Sequence, residues 1–141
     1  MSTAMQVQAM AALLRQARIP AVISTLLAAT ALALVLLAPR SMPLVAIALL
    51  SLLAGVGQAY FAARIGFDRG LLEGLLAAHP DAAPDPIDDA LQALGLRAAV
   101  HPARGWPARW QGMRGLLRGQ GMCVLLQALT LLAALWLRIS G

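Results

Sequence analysis

Lysine is absent from this 141-residue chain, the acids number six, and Cys123 is the single cysteine. No disulfide can close within the chain, and no cysteine cluster can hold a metal. Charged residues make up 12% of the sequence, against about 25% in an ordinary soluble domain. Aromatic rings are few, with three Trp, two Phe and one Tyr, fewer than a soluble core of this length draws on. The longest apolar runs hold no Asp, Glu, Lys, Arg or His. That lack counts against an ion-coupled pump, which places an ionisable group within the membrane. It also counts against a haem anchor, which needs an axial His inside a span.

What is present is mostly Ala and Leu, 30 and 29 residues of a chain that is 60% apolar. Such a composition favours helix over strand. Arginines delimit three uncharged runs, 19–39, 41–63 and 119–137, of 21, 23 and 19 residues. As helices these reach about 29–35 Å, which matches a hydrocarbon core about 30 Å thick. Their large apolar residues favour insertion by roughly a few kcal/mol per helix. The first run is longer than the apolar core of a signal peptide, about 7–15 residues, so it reads as an uncleaved anchor. The expected fold class is an all-α integral membrane protein with three transmembrane helices and cytoplasmic amphipathic helices between the second and third.

Orientation follows from the arginines. With the N-terminus inside, Arg15, Arg18, Arg64, Arg69, Arg97, Arg104, Arg109, Arg114 and Arg118 face the cytoplasm, and only Arg40 and Arg138 face out. The positive-inside rule therefore predicts a cytoplasmic N-terminus and a periplasmic C-terminus. Arg without Lys, beside abundant Ala, Gly and Pro, fits a GC-rich bacterial genome, so a bacterial inner membrane is the expected location. A pI near 11.4 raises nucleic acid as a partner. The positive-inside pattern explains the same arginines, and no nucleic-acid-binding motif accompanies them; no nucleic-acid partner is expected. Tyr60, Phe61 and Phe67 at the inner end of the second span, and Trp106, Trp110 and Trp136 flanking the third, suit the membrane interfaces.

The parts outside the spans read as helices too. Residues 1–18 form a cytoplasmic amphipathic helix capped by Ser2, with Met5, Met10, Leu13 and Leu14 as its apolar residues. Pro20 is expected to kink it, or to restart it as the first span, and Pro39–Pro43 to form the outer turn. The second span continues as helix through Ile65, Leu71, Leu72, Leu75 and Leu76 to about Ala78, with Arg64/Asp68 and Arg69/Glu73 paired at i,i+4. The prolines of 79–86 break it. A short helix over 86–95 follows, capped by Asp85 and acidic at its start. A helix over 107–118 then leads into the third span. It is expected to lie at the interface, with Arg109, Trp110, Arg114 and Arg118 against anionic lipid headgroups.

Chemistry-bearing constellations are lacking. Asp81, Asp85, Asp88 and Asp89 match no calcium loop, and helix capping accounts for the last three. His79 and His101 each precede a proline in a loop. No catalytic, cofactor-binding or metal site is expected. All six acids fall between residues 68 and 89, an acidic patch suited to pair with the basic helix at 109–118 or with a partner.

Helix-packing signals are richer. Ser51, Gly55, Gln58 and Ala62 share one face of the second span, and Cys123, Gln127, Thr130 and Ala134 one face of the third. Small-and-polar stripes of this kind mark helix–helix contacts in membranes. Gln58 and Gln127 are expected to hydrogen-bond each other or a partner helix. Gly66, Gly70 and Gly74 form an i,i+4 ladder, as do Gly115 and Gly119 with Gly112 nearby. Such ladders admit close backbone approach; genome composition is the rival explanation.

The expected function is that of a small non-catalytic accessory subunit without a cofactor. It would anchor, stabilise or regulate a larger membrane complex, with other membrane subunits or copies of itself as partners. The alternative is a self-assembling small transporter or holin-like pore. The thinness of the polar stripes counts against the latter, because pores line themselves with more polar groups.

Overall fold

A computed structural model describes residues 3–37, 41–78, 85–95 and 105–140. Among these the chain is helical throughout, in the order α1 (Thr3–Gln16), α2 (Arg18–Leu37), α3 (Met42–Ala78), α4 (Asp85–Ala93) and α5 (Trp106–Ser140). Three helical stretches, Met5–Leu37, Met42–Ala78 and Trp106–Ser140, are long and apolar enough to cross a membrane. Ser2, Pro39, Arg40, His79, Asp81, Arg97, His101 and Arg104 lie outside the described residues; Met42 and Pro43, expected in the outer turn, already belong to the first turn of α3.

Helix boundaries follow local chemistry. The break between α1 and α2 falls at Ala17, three residues before Pro20. Pro20 has no N–H to offer the carbonyl of Gln16, four residues back, so the α1 ladder ends there. Pro20 itself sits in the first turn of α2, where a missing N–H costs nothing. α4 ends one turn before Gly95, whose φ is +67°. A side chain at this φ is disfavoured, and Gly95 accordingly closes the helix by donating to the Gln92 carbonyl at 2.9 Å.

α3 has 37 residues and α5 has 35. At 1.5 Å per residue they run about 55 and 52 Å, well beyond the hydrocarbon core of about 30 Å. α5 differs from the expected pair of an interfacial helix followed by a span. It is one unbroken element from Trp106, because Pro107 lies in its first turn and no breaker follows.

α3 packs along α2 and α5. At the arginine-rich end, Val7, Ala11, Leu14, Ala17, Ile65, Leu72, Leu75, Ile87 and Met113 form one apolar cluster drawn from α1, α3, α4, α5 and the break before α2. At the other end, Ala31, Leu34, Leu131 and Ala134 form a second. Between them lie the buried polar residues Ser24, Ser51, Gln58, Gln120 and Gln127, with Ala54 among them. The outer faces carry Val22, Leu26, Leu53, Val56, Leu125 and Leu132, all exposed. Water would penalise that arrangement, whereas hydrocarbon chains are a good solvent for it.

Candidate functional site

The polar belt is built from one buried residue per helix turn pair. Gln127 on α5 is fully buried. Its Oε1 accepts from Ser24 Oγ of α2 at 2.6 Å, and its Nε2 donates to the Ser24 carbonyl at 3.0 Å. Ser51 Oγ of α3 donates to the Gln127 carbonyl at 3.2 Å. One residue thus ties α2, α3 and α5 together, through its side-chain amide to α2 and its backbone carbonyl to α3. Gly55 makes room for it, since a β-carbon there would stand 2.9 Å from Gln127 Nε2. Thr130 bonds within its own helix, to the carbonyls of Leu126 and Gln127 at 2.8 and 3.0 Å.

A second layer repeats the first seven residues away on each helix: Ala17 for Ser24, Gln58 for Ser51 and Gln120 for Gln127. Seven residues are two helical turns, so the same face returns to the interface. Gln120 is buried, and its Nε2 donates to the Ala17 carbonyl at 2.9 Å, at the break between α1 and α2. Close approaches of Gly57 to Cys123 Sγ (3.3 Å) and of Gly119 to Phe61 (2.7 Å), both measured from a β-carbon added to the glycine, set the antiparallel register of α3 and α5. Gln58 falls between those two contacts on α3, as Gln120 does on α5.

Gln58 is 3% exposed, and its Nε2 has no hydrogen-bond partner. The expected Gln58–Gln127 bond is not made, because Ser24 occupies both ends of the Gln127 amide. A buried donor left unmatched costs about 1–3 kcal/mol. Ser24 and Gln120 were missed as site residues, although Gln120 extends the stripe of Cys123, Gln127 and Thr130 by one turn, and Ser24 stands in the small-residue row Ala17, Ala21, Ser24, Ala28 and Ala31.

At the arginine-rich end the charges pair inward. Arg109 donates to Asp88, with 10% and 13% of the two side chains exposed. Arg109 is therefore turned to α4, and Trp110 stacks on Trp106 at 4.8 Å beside the apolar cluster. Neither is presented freely to headgroups as expected; Arg114 and Arg118 remain exposed. Arg15 pairs with Glu73 at 2.9 Å, and Arg69 approaches the same oxygen at 3.7 Å. Arg64 and Asp68 form no direct pair. Burial pushes the Asp68 carboxyl above its ordinary value, while the charges of Arg64 and Arg109 pull it down.

Among the glycines, Gly55 and Gly119 pack inside the chain. Gly66, Gly70, Gly74, Gly112 and Gly115 have nothing within 4 Å of where a β-carbon would be. Among the described residues no group of three His, Cys, Asp or Glu could hold a metal. No family model, curated protein or solved structure matches the chain.

Proposed function

We propose that this chain is a small non-catalytic accessory subunit of the bacterial inner membrane, with a cytoplasmic N-terminus and a periplasmic C-terminus. It anchors, stabilises or regulates a larger membrane complex. The observation that carries this reading is the row Gly66, Gly70 and Gly74 on α3, exposed and with no side chain packed on it among the described residues. Each glycine within a helix costs about 1 kcal/mol relative to Ala. Nothing in the fold of the chain itself uses that expense. A second helix lying along this face would, because small residues let backbones approach closely. Arg114 and Arg118 remain available to anionic headgroups or to an acidic partner surface.

The polar residues weigh against the pore alternative. Ser24, Ser51, Gln58, Gln120 and Gln127 are buried among α2, α3 and α5. An oligomeric pore would need such groups on an outer face, where they could line a lumen.

Purification in mild detergent tests the proposal. A larger, different membrane protein should co-purify with the chain, and Gly70→Leu should release it while leaving membrane insertion intact. A homogeneous homo-oligomer that conducts ions in bilayers would replace this reading with the pore.

A further inference from the structure

Where α1, α2 and α3 meet, Arg15, Arg18, Arg69 and Glu73 line a cleft of about 430 Å³. Two of its guanidiniums converge on one carboxylate oxygen, with Arg15 Nε at 2.9 Å and Arg69 Nε at 3.7 Å from Glu73 Oε1. The second distance is too long for a hydrogen bond, and Arg69 Nε is buried without an acceptor. Arg18 makes no ion pair among the described residues. Three guanidiniums against one carboxylate leave the cleft two positive charges in excess. A single carboxylate cannot satisfy the donors gathered there, since each guanidinium carries five.

A further feature points to the kind of occupant. Arg18 borders the uncharged run that begins at Ile19, and Arg69 lies five residues beyond Arg64, the corresponding boundary on α3. The cleft thus stands at the edge of the spans, at the depth of lipid phosphates. Planar guanidiniums fit phosphate oxygens in forked geometry better than they fit a lone carboxylate oxygen.

We propose that this cleft is a binding site for a phosphate group, held by Arg15, Arg18 and Arg69, with Glu73 as the built-in competitor that keeps the arginines gathered when the site is empty. The occupant is the phosphodiester of an anionic lipid or the phosphate of a soluble compound. The inference rests on the membrane placement of the spans but on no partner complex, so it can fail while the accessory-subunit reading stands.

Native mass spectrometry of the full chain, released from micelles holding equal phosphatidylglycerol and phosphatidylcholine, reads the lipid arm. Melting in dodecyl maltoside with added inorganic phosphate reads the soluble arm. Phosphatidylglycerol should be retained in preference, and Arg18→Gln, at an exposed position, should lower that retention about tenfold. Glu73→Gln should raise it, a change of opposite sign that general loosening of the fold would not produce. Arg138→Gln, at the far end of α5, should leave it unchanged. Stabilisation by inorganic phosphate, without lipid preference and lost in Arg18→Gln, would keep the site and assign it to a soluble phosphate. Equal retention of both lipids with no response to phosphate, or selectivity untouched by both Arg18→Gln and Glu73→Gln, would overturn the proposal.

Discussion

Ser24 and Gln127, 103 residues apart in the chain, hydrogen-bond each other twice, once through each end of the glutamine amide. No other pair of side chains in the buried belt is so completely matched. In a lipid environment such bonds are worth about 0.6–1.7 kcal/mol each. A double-mutant cycle of Ser24→Ala with Gln127→Leu, read by unfolding in mixed micelles, should give a coupling of about that size. The coupling should be absent between Gln58→Leu and Gln127→Leu, because Gln58 does not bond to Gln127. Gln58→Leu alone should stabilise the isolated chain by about 1–3 kcal/mol, since it removes an unmatched buried donor. A destabilised Gln58→Leu chain would mean that the amide has an acceptor after all.

The glycines divide into two classes with opposite responses. A β-carbon at Gly119 meets Phe61 at 2.7 Å, whereas one at Gly70 meets nothing within 4 Å. Gly119→Val should therefore lower the melting temperature in detergent, and Phe61→Leu should restore part of the loss. Gly70→Ala should raise it, by the roughly 1 kcal/mol that separates the two residues in a helix. Equal behaviour of the two substitutions would contradict the packing described.

Ion pairs at the arginine-rich end should differ in weight. Arg109 and Asp88 are nearly buried, while the Arg15 side chain is 64% exposed. Removing Arg109 as Ala takes a nearly buried partner from Asp88 and should cost more than removing Arg15. Removing Arg15 as Ala should cost at most about 1 kcal/mol. Thermal or denaturant unfolding of the two variants gives the comparison directly.

Asp68 predicts a pH effect. Its folded pKa is raised above the ordinary carboxylate value by burial, so the folded chain holds this proton more tightly than the unfolded one. Stability should then rise as pH falls through the raised value toward the ordinary one. Above that window the charged, half-buried carboxylate is a standing cost. Asp68→Asn should stabilise the chain at neutral pH and flatten this part of the profile. A slope that survives the substitution would assign the effect to another group.

Much of the architecture was legible in the residues. Arginine-free runs pointed to the three helices long and apolar enough to cross a membrane, because a charge is costly in hydrocarbon, and the continuation of the Leu72–Leu75 pattern past Arg64 marked the long α3. Ser51, Gly55 and Gln127 were legible as interface because each recurs in a stripe at helical spacing. Ser24 was missed: it is the single polar residue in the row Ala17, Ala21, Ser24, Ala28 and Ala31, and its partner is 103 residues away. Trp110 was expected against lipid headgroups, but it packs against the apolar cluster that α1, α3, α4 and Met113 of α5 form, a tertiary contact that helical periodicity alone does not specify. The break at Ala17 was displaced from Pro20 because a proline disrupts the carbonyl four residues before it more than it disrupts its own position.

The separation of leucine outside from serine and glutamine inside has a consequence for engineering. Contacts that hold α2, α3 and α5 together do not involve the outward leucines, so the two can be changed independently. Repainting Val22, Leu26, Leu53, Val56, Leu125 and Leu132 with glutamate and glutamine leaves every hydrogen bond of the belt in place. The same backbone then becomes a scaffold for a water-soluble analogue, handled without detergent.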